Sequence, residues 1–388
     1  MEKQLTAALK SAVEAGDVAG AGVLVLKDGK EAAFCAYGMR DIENALPVER
    51  DTIFRLYSQT KPVTAAAVML LAAQGRLDLG AWLSDYLPAF SQMNVCENGE
   101  LRPAKRHITV SDLLNMTSGI PYPDNDMAGR ESGRVFWETE QSIYGESPVT
   151  TMQFAQKMAE VPLWFEPGER FRYGASADIL GAVVEAVSGV TFREFLMESF
   201  FEPLGMSDTD FYVPPEKQRR LAKAYDYAEN GLREVQTNHL ALPYKRDIVP
   251  AFQSGGAGLC STLDDYAKFG AMLLAGGVYA GRRIMPEAAV RRLTAGGIAP
   301  ALDPQLAEGW EWMRGYTYGS LMRVCRDETR TTLFASRGEY GWDGWLGTFF
   351  SNEPAHSITM VYGAQQAGVG RAGTLARRLK NIVMSHLA

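Results

Sequence analysis

The chain is poor in the residues that most often carry metal and redox chemistry. Its 388 residues hold four cysteines (Cys35, Cys96, Cys260 and Cys325), far apart and with no C-x-x-C pair. That speaks against a zinc site or a disulfide framework, and isolated thiols suit a reducing compartment. There are four histidines (His107, His239, His356 and His386) and none sits in an H-E-x-x-H pattern, so a mechanism built on an imidazole base has few candidates. No apolar run approaches the roughly 20 residues of a membrane span. Acidic residues outnumber basic ones, 46 to 39, for a net charge of −7. With no basic stripe, a nucleic-acid backbone is not an expected partner. Met1-Glu2-Lys3-Gln4-Leu5 opens on a polar helical pattern without the apolar stretch of a secretory signal. A cytoplasmic location is therefore expected, with a small molecule as partner and no cofactor or metal.

The remaining composition is that of an ordinary globular protein, and the length suits two domains or one fold with a large insertion. Leu5, Ala8, Leu9, Ala12 and Val13 recur at helical spacing. Residues 20–37 then read as a β-hairpin around an Asp28-Gly29 turn. After Phe54-Arg55-Leu56-Tyr57 a helix is predicted through Gln74, with Val63, Ala66, Ala67, Leu70 and Leu71 on its apolar face. Residues 77–250 mix proline-marked loops with helices at Val110–Met116, Thr151–Glu160 and Ala177–Val187. The last third returns to a helix, Leu263–Leu274, and strand-like stretches at Tyr316–Val324, Thr331–Ala335, Gly347–Ser351 and Ser357–Gly363. A helix over Thr374–Leu387 closes the chain. The expected architecture is α/β (α+β): an antiparallel sheet flanked by the terminal helices and built from residues 1–76 and 251–388. Residues 77–250 would form an inserted, all-helical domain.

Ser58-Gln59-Thr60-Lys61 is the first candidate for chemistry. A Ser and a Lys three apart on a helix share a face, about 5–6 Å apart at Cβ. The helix N-terminus adds a positive field that favours neutral Lys61 and a developing alkoxide on Ser58. Read blandly, Ser58 is an N-cap and Lys61 a solvated side chain. Against that, a Lys one turn into an apolar, buried helix is costly unless it has a partner or a task. Gly368-Val369-Gly370-Arg371-Ala372-Gly373 matches G-x-G-x-x-G literally, but too little chain follows for a dinucleotide fold. No G-x-S-x-G string is present, which removes the nucleophile-elbow hydrolases.

The segment around Ser58 resembles the nucleophile motif of the serine β-lactamase and penicillin-binding-protein superfamily, in particular class C β-lactamases and family VIII carboxylesterases. Asp112-Leu113-Leu114-Asn115-Met116-Thr117-Ser118-Gly119 is similar to that family's helix and turn, with Met116 where His is usual. Pro167-Gly168-Glu169-Arg170-Phe171-Arg172-Tyr173 and Gly255-Gly256-Ala257-Gly258-Leu259-Cys260-Ser261-Thr262 also resemble its motifs. The likeness spans about residues 20–365. It implies that Ser58 is the nucleophile and that Lys61 and Tyr173 manage protons, Tyr173 with a pKa depressed by Lys61. It also implies that Trp342-Asp343-Gly344 is the tryptophan form of the third motif, with the N–H groups of Ser58 and Trp345 as an oxyanion hole, worth about 3–4 kcal/mol per donor. Without the resemblance, Tyr173 reads as a buried tyrosine beside Arg172, and Trp342–Trp345 as a packed aromatic cluster. Ala175 stands where β-lactamases and peptidases usually carry Asn, which favours esters over β-lactams or peptides. The implied function is a serine hydrolase acting on small carboxylic esters through an acyl-enzyme. The rivals are a β-lactamase, a D-amino-acid peptidase or an acyltransferase on the same fold, and a silent binding protein. Tyr122, Trp137, Tyr144, Trp312 and Tyr316 are candidate pocket walls.

Overall fold

The computed structural model describes residues 1–229, 231–367 and 370–388. Helix α1 (Glu2–Glu14) leads into strands β1 (Gly20–Lys27), β2 (Lys30–Asp41) and β3 (Leu46–Pro47). Lys27 and Lys30 pair across the first turn, where Asp28 (φ 51°) and Gly29 (φ 71°) are both left-handed. That is the turn whose twist matches a right-twisted hairpin. A 3-10 turn, Tyr57–Thr60, then runs straight into α2 (Lys61–Ala73). The sequence predicts one apolar face for α2, but every residue from Lys61 to Leu71 is buried. A helix apolar around its whole circumference belongs in the middle of a core.

The middle of the chain supplies α3 (Val110–Leu114), α4 (Met127–Ser142), α5 (Thr151–Met158) and α6 (Ser176–Ser188), against which α2 packs. It is mostly helical, as expected, yet it also carries two short hairpins, 94–97 with 100–103 and 225–228 with 231–234. Helix α3 stops earlier than predicted because Met116 turns left-handed (φ 55°). Helix α7 (Leu263–Leu274) follows at the predicted bounds.

The C-terminal third returns to the sheet with β4 (Tyr316–Gly319), β5 (Met322–Cys325), β6 (Tyr340–Asp343), β7 (Phe349–Glu353) and β8 (Ile358–Ala364), and ends in α8 (Gly370–Leu387). The strand order is β4-β5-β6-β7-β8-β1-β2-β3, and every neighbouring pair is antiparallel. Strand β8 pairs with β1, so both ends of the chain complete one sheet. Side chains alternate between its faces. Val23, Val25, Met360 and Tyr362 pack under α1 and α8, while Leu24, Val361 and Phe350 join the core around α7 and α2.

Residues 331–335, predicted as strand, form none. Side chains take the polar groups a ladder would use: Thr331 Oγ1 donates to the Leu333 carbonyl, and Phe334 N–H donates to Asn381 Oδ1 on the closing helix. Tyr340–Asp343 takes the sheet position instead. Gly368 and Val369, the first two residues of the G-x-G-x-x-G string, lie outside the described residues, while Gly370–Gly373 opens α8. No described helix is long and apolar enough to cross a membrane.

Helix α8 buries Ala372, Leu375, Ala376, Leu379, Lys380, Val383 and Met384 as one stripe, and Lys380 is the charged member. Its ammonium sits 2.7 Å from Ser351 Oγ and 2.5 Å from Glu353 Oε1. Neighbouring Glu339 accepts from Arg323 at 3.0 Å, and Arg323 also holds Asp343 at 2.8 Å. Two cations, Lys380 and Arg323, thus hold three carboxylates, Glu353, Glu339 and Asp343, in a network that ties α8 to the end of β6. Lys380→Met leaves two buried carboxylates short of a cation and is expected to cost about 3–5 kcal/mol in urea unfolding. The double variant Lys380→Met/Glu353→Gln is expected to recover part of that loss.

Candidate active site

Ser58 lies in the 3-10 turn ahead of α2, and the residue before it is strained. Tyr57 has φ 45°, a left-handed conformation that costs a non-glycine residue about 1 kcal/mol or more. Packing holds it there: the Tyr57 ring meets Trp345 edge-on at 5.1 Å. Thr60 Oγ1 accepts from Leu259 N–H at 3.1 Å. Ser58 Oγ caps no helix; it accepts a hydrogen bond from Lys61 Nζ at 3.2 Å.

Lys61 is fully buried. Its ammonium also donates to the Gly256 carbonyl at 2.8 Å and to Tyr122 OH at 3.2 Å. Burial pulls its pKa down to about 7, against the opposing field of Asp178. Tyr122 OH in turn donates to Asp178 Oδ2 at 3.4 Å. Asp178, on the first turn of α6, also accepts from Ser254 Oγ and from Gly256 N–H. Burial raises its carboxyl, while Lys61 and these hydrogen bonds pull it back. The glycine at 256 follows from this crowding: a Cβ there would lie 2.7 Å from both Asp178 Oδ2 and Tyr122 OH.

Tyr173 approaches from the other side. Its hydroxyl accepts from Trp342 Nε1 at 3.0 Å, and its ring stacks on Trp342 at 5.5 Å. Here the expectation of a depressed pKa is overturned. Burial raises the Tyr173 phenol, and hydrogen bonds to Ser58 and Trp342 only moderate the rise. Lys61 Nζ lies 4.6 Å from the centre of the Tyr173 ring, so it meets the ring face, and its hydroxyl partners are Ser58 and Tyr122. Tyr173 is therefore a neutral hydrogen-bonding group in this site.

Trp342 and Asp343 end β6, and the turn from Gly344 to Thr348 returns the chain to β7. Thr348 Oγ1 donates to the Leu56 carbonyl at 3.2 Å, and Gly344 N–H donates to the Thr348 carbonyl at 2.8 Å. The turn is thereby fastened beside Ser58. Trp345 stacks at 4.1 Å on His239, one of the four histidines that sit in no H-E-x-x-H pattern. Burial lowers the pKa of His239 and favours its neutral form.

Two cavities open beside Ser58, and Ser58, Tyr173 and Trp345 border both. One, of about 540 Å³, is walled by Trp310, Trp312, Trp342 and Phe349. The other, of about 450 Å³, lies between α4 and residues 238–241, with Tyr122, Phe136 and Trp137 in its wall. Of the predicted wall residues, Tyr122, Trp137 and Trp312 face a cavity. Tyr144 is exposed and bonds Asp247, and Tyr316 is buried in β4. Ala175 is fully buried at the start of α6. Asp178 was missed in the sequence because an acid in a helix's first turn is common for dipole reasons alone.

The β-lactamase family model matches residues 5–383, and the chain belongs to that family. Its architecture is the β-lactamase/transpeptidase fold. Protein Rv1367c of Mycobacterium tuberculosis is 29% identical over 364 residues, 92% of this chain and 88% of the relative. Esterase EstB of Burkholderia gladioli is 28% identical over 394 residues, 98% of this chain and 94% of EstB. Among solved structures, EstCE1, described as a hydrolase with promiscuous acyltransferase activity, superposes with a TM-score of 0.82 at 24% identity and 98% coverage of both chains. That last likeness is one of fold.

Gly344 has no room for a side chain, since a Cβ would lie 2.2 Å from the Leu56 carbonyl oxygen and 2.1 Å from Thr348 Oγ1. Gly344→Ala is therefore expected to push the turn away from residues 56–58. The overpacked turn is expected to lower the free energy of unfolding in urea by about 1–3 kcal/mol.

Proposed function

We propose that the protein is a serine hydrolase that cleaves small carboxylic esters through an acyl-enzyme. The observation that carries this reading is the buried Lys61 ammonium, 3.2 Å from Ser58 Oγ and with a pKa of about 7. An amine of that pKa is half neutral near pH 7 and can accept the serine proton, where an ordinary lysine cannot. Ser58 Oγ attacks the ester carbonyl as its proton passes to Lys61. The backbone N–H groups of Ser58 and Trp345 carry the oxyanion. Tyr173, neutral and held by Trp342, orients the Ser58 hydroxyl. The C–O bond to the alcohol breaks, and water then releases the acid from Ser58. The site lies at the junction of the sheet segments (residues 1–76 and 251–388) with the mostly helical segment (77–250).

Esters are favoured over amides by two residues. Ala175 offers no side-chain amide to bind a substrate amide, and Trp342 offers no cation for a substrate carboxylate. The esterase name of EstB supports the same reading. A β-lactamase, a D-amino-acid peptidase or an acyltransferase would use the same serine chemistry.

Hydrolysis of p-nitrophenyl acetate is expected to fall by about a thousandfold or more in Ser58→Ala. The wild-type protein, and not the variant, should gain the mass of one acyl group. The sign of the pH dependence follows from Lys61 acting as a base. Below its pKa of about 7 it is protonated and cannot accept the Ser58 proton. The kcat/KM should therefore rise about tenfold per pH unit up to that point and level off above it. Unchanged turnover in Ser58→Ala would end the serine reading; a flat profile from pH 5 to 8 would remove Lys61 as the base.

A further inference from the structure

Two cavities meet at Ser58, and the chemistry of an ester assigns one to each half of the substrate. The tetrahedral carbon formed on Ser58 has four substituents. Ser58 Oγ takes one direction and the oxyanion donors take another. Two directions remain, one for the acyl chain and one for the alcohol oxygen, and two cavities are present to receive them. They differ in one chemical respect. Tyr122 OH, the hydroxyl bonded to Lys61 Nζ at 3.2 Å, borders the cavity beside α4 and not the one walled by Trp310 and Trp312.

We propose that the alcohol half of the ester occupies the cavity beside α4, that the acyl half occupies the tryptophan-walled cavity, and that Tyr122 delivers the proton to the departing alcohol oxygen. This rests on the ester-hydrolase reading above and goes beyond it by orienting the substrate and adding a proton donor. The step balances. Ser58 Oγ bonds to the carbonyl carbon, and its proton moves to Lys61 Nζ. As the carbon–oxygen bond to the alcohol breaks, its electron pair stays on oxygen and takes the proton of Tyr122. Lys61 Nζ then returns the proton it holds to Tyr122. Water entering the vacated α4 cavity reverses the sequence and frees the acid.

The walls suit these halves. Trp310, Trp312, Met313 and Phe349 offer the acyl chain broad apolar faces. On the alcohol side Glu140 and Asn238 bring polar atoms, and Asn238 Nδ2 donates to Glu140 Oε1 at 3.4 Å. Trp137 stands 61% exposed beside them. The substrate class that fits is an ester of an apolar acid with an alcohol bearing further hydroxyl groups.

Two glycines allow each cavity to be filled separately. A Cβ at Gly133 on α4 meets nothing nearer than Pro123 Cβ at 3.7 Å, and one at Gly373 on α8 meets the flexible Arg377 guanidinium at 3.3 Å. Both sites are helical, where leucine is intrinsically favoured over glycine. Gly373→Leu is expected to lower kcat/KM for p-nitrophenyl octanoate relative to p-nitrophenyl acetate by about tenfold. Gly133→Leu should do the same for the acetate of a bulky alcohol relative to ethyl acetate. Tyr122→Phe should slow ethyl esters about 100-fold more than p-nitrophenyl esters of the same acid, because p-nitrophenolate leaves without a proton. Exchanged cavity effects, or equal effects on both series, would overturn the assignment. Equal losses on the ethyl and p-nitrophenyl esters of Tyr122→Phe would overturn the proton route. Wild-type cleavage of p-nitrophenyl acetate that disappears in Ser58→Ala, measured alongside, keeps a failure here distinct from a failure of the ester reading.

Discussion

The site depends on one ammonium group placed where water cannot reach it. Lys61 enters α2 at a position buried on every side, and an isolated charge there would be costly enough to neutralise itself. The surrounding residues make the position tolerable without restoring an ordinary lysine. The Gly256 carbonyl and the hydroxyls of Ser58 and Tyr122 take its hydrogen bonds, while Asp178 supplies a field that only partly offsets burial. The result is an amine balanced between its two protonation states near neutral pH. The tight approach at Gly256 and the placement of Asp178 in the first turn of α6 are both conditions of that balance.

A second constraint keeps the facing segment in register with the serine. Strand β6 ends in Trp342 and Asp343, and the turn after it is fastened to the Leu56 carbonyl through Thr348. Asp343 is fixed from below by Arg323, which belongs to the buried ion network that also holds α8 through Lys380. The C-terminal helix thus reaches the site through charge and, at Gly373 and Arg377, as part of the wall of the tryptophan-lined cavity. The left-handed Tyr57 is sustained in the same way, by Trp345 packing against its ring. Geometry around Ser58 is over-determined by contacts from both ends of the chain.

Much of this was legible from residue patterns. Helix α7, the hairpin turn at Asp28-Gly29 and the closing helix follow from local periodicity and turn chemistry. The pairing of Ser58 with Lys61 follows from helical spacing. Other features were not legible, for identifiable reasons. Residues 331–335 have the β-branched and apolar composition of a strand, but Thr331 and the distant Asn381 take their backbone groups through side chains. The family resemblance implied a Tyr173 phenol lowered by Lys61. The contact is made through the ring face, and burial decides the direction. His239 carries no motif, and its place against Trp345 depends on a turn whose packing no local pattern encodes.

By itself the sequence determined the class of fold, the sheet completed from both termini and the serine–lysine pair, because these rest on periodicities of two and of three to four residues. Only the tertiary structure decided which hydroxyl bonds the lysine, which tyrosine meets it through the ring face and how the space around Ser58 divides. Tyr122 is 61 residues from Lys61 and Gly256 is 195 away, yet both bond its ammonium. Proximity across such separations comes from how helices and sheet pack, and a pKa set by burial exists only once that packing has excluded water.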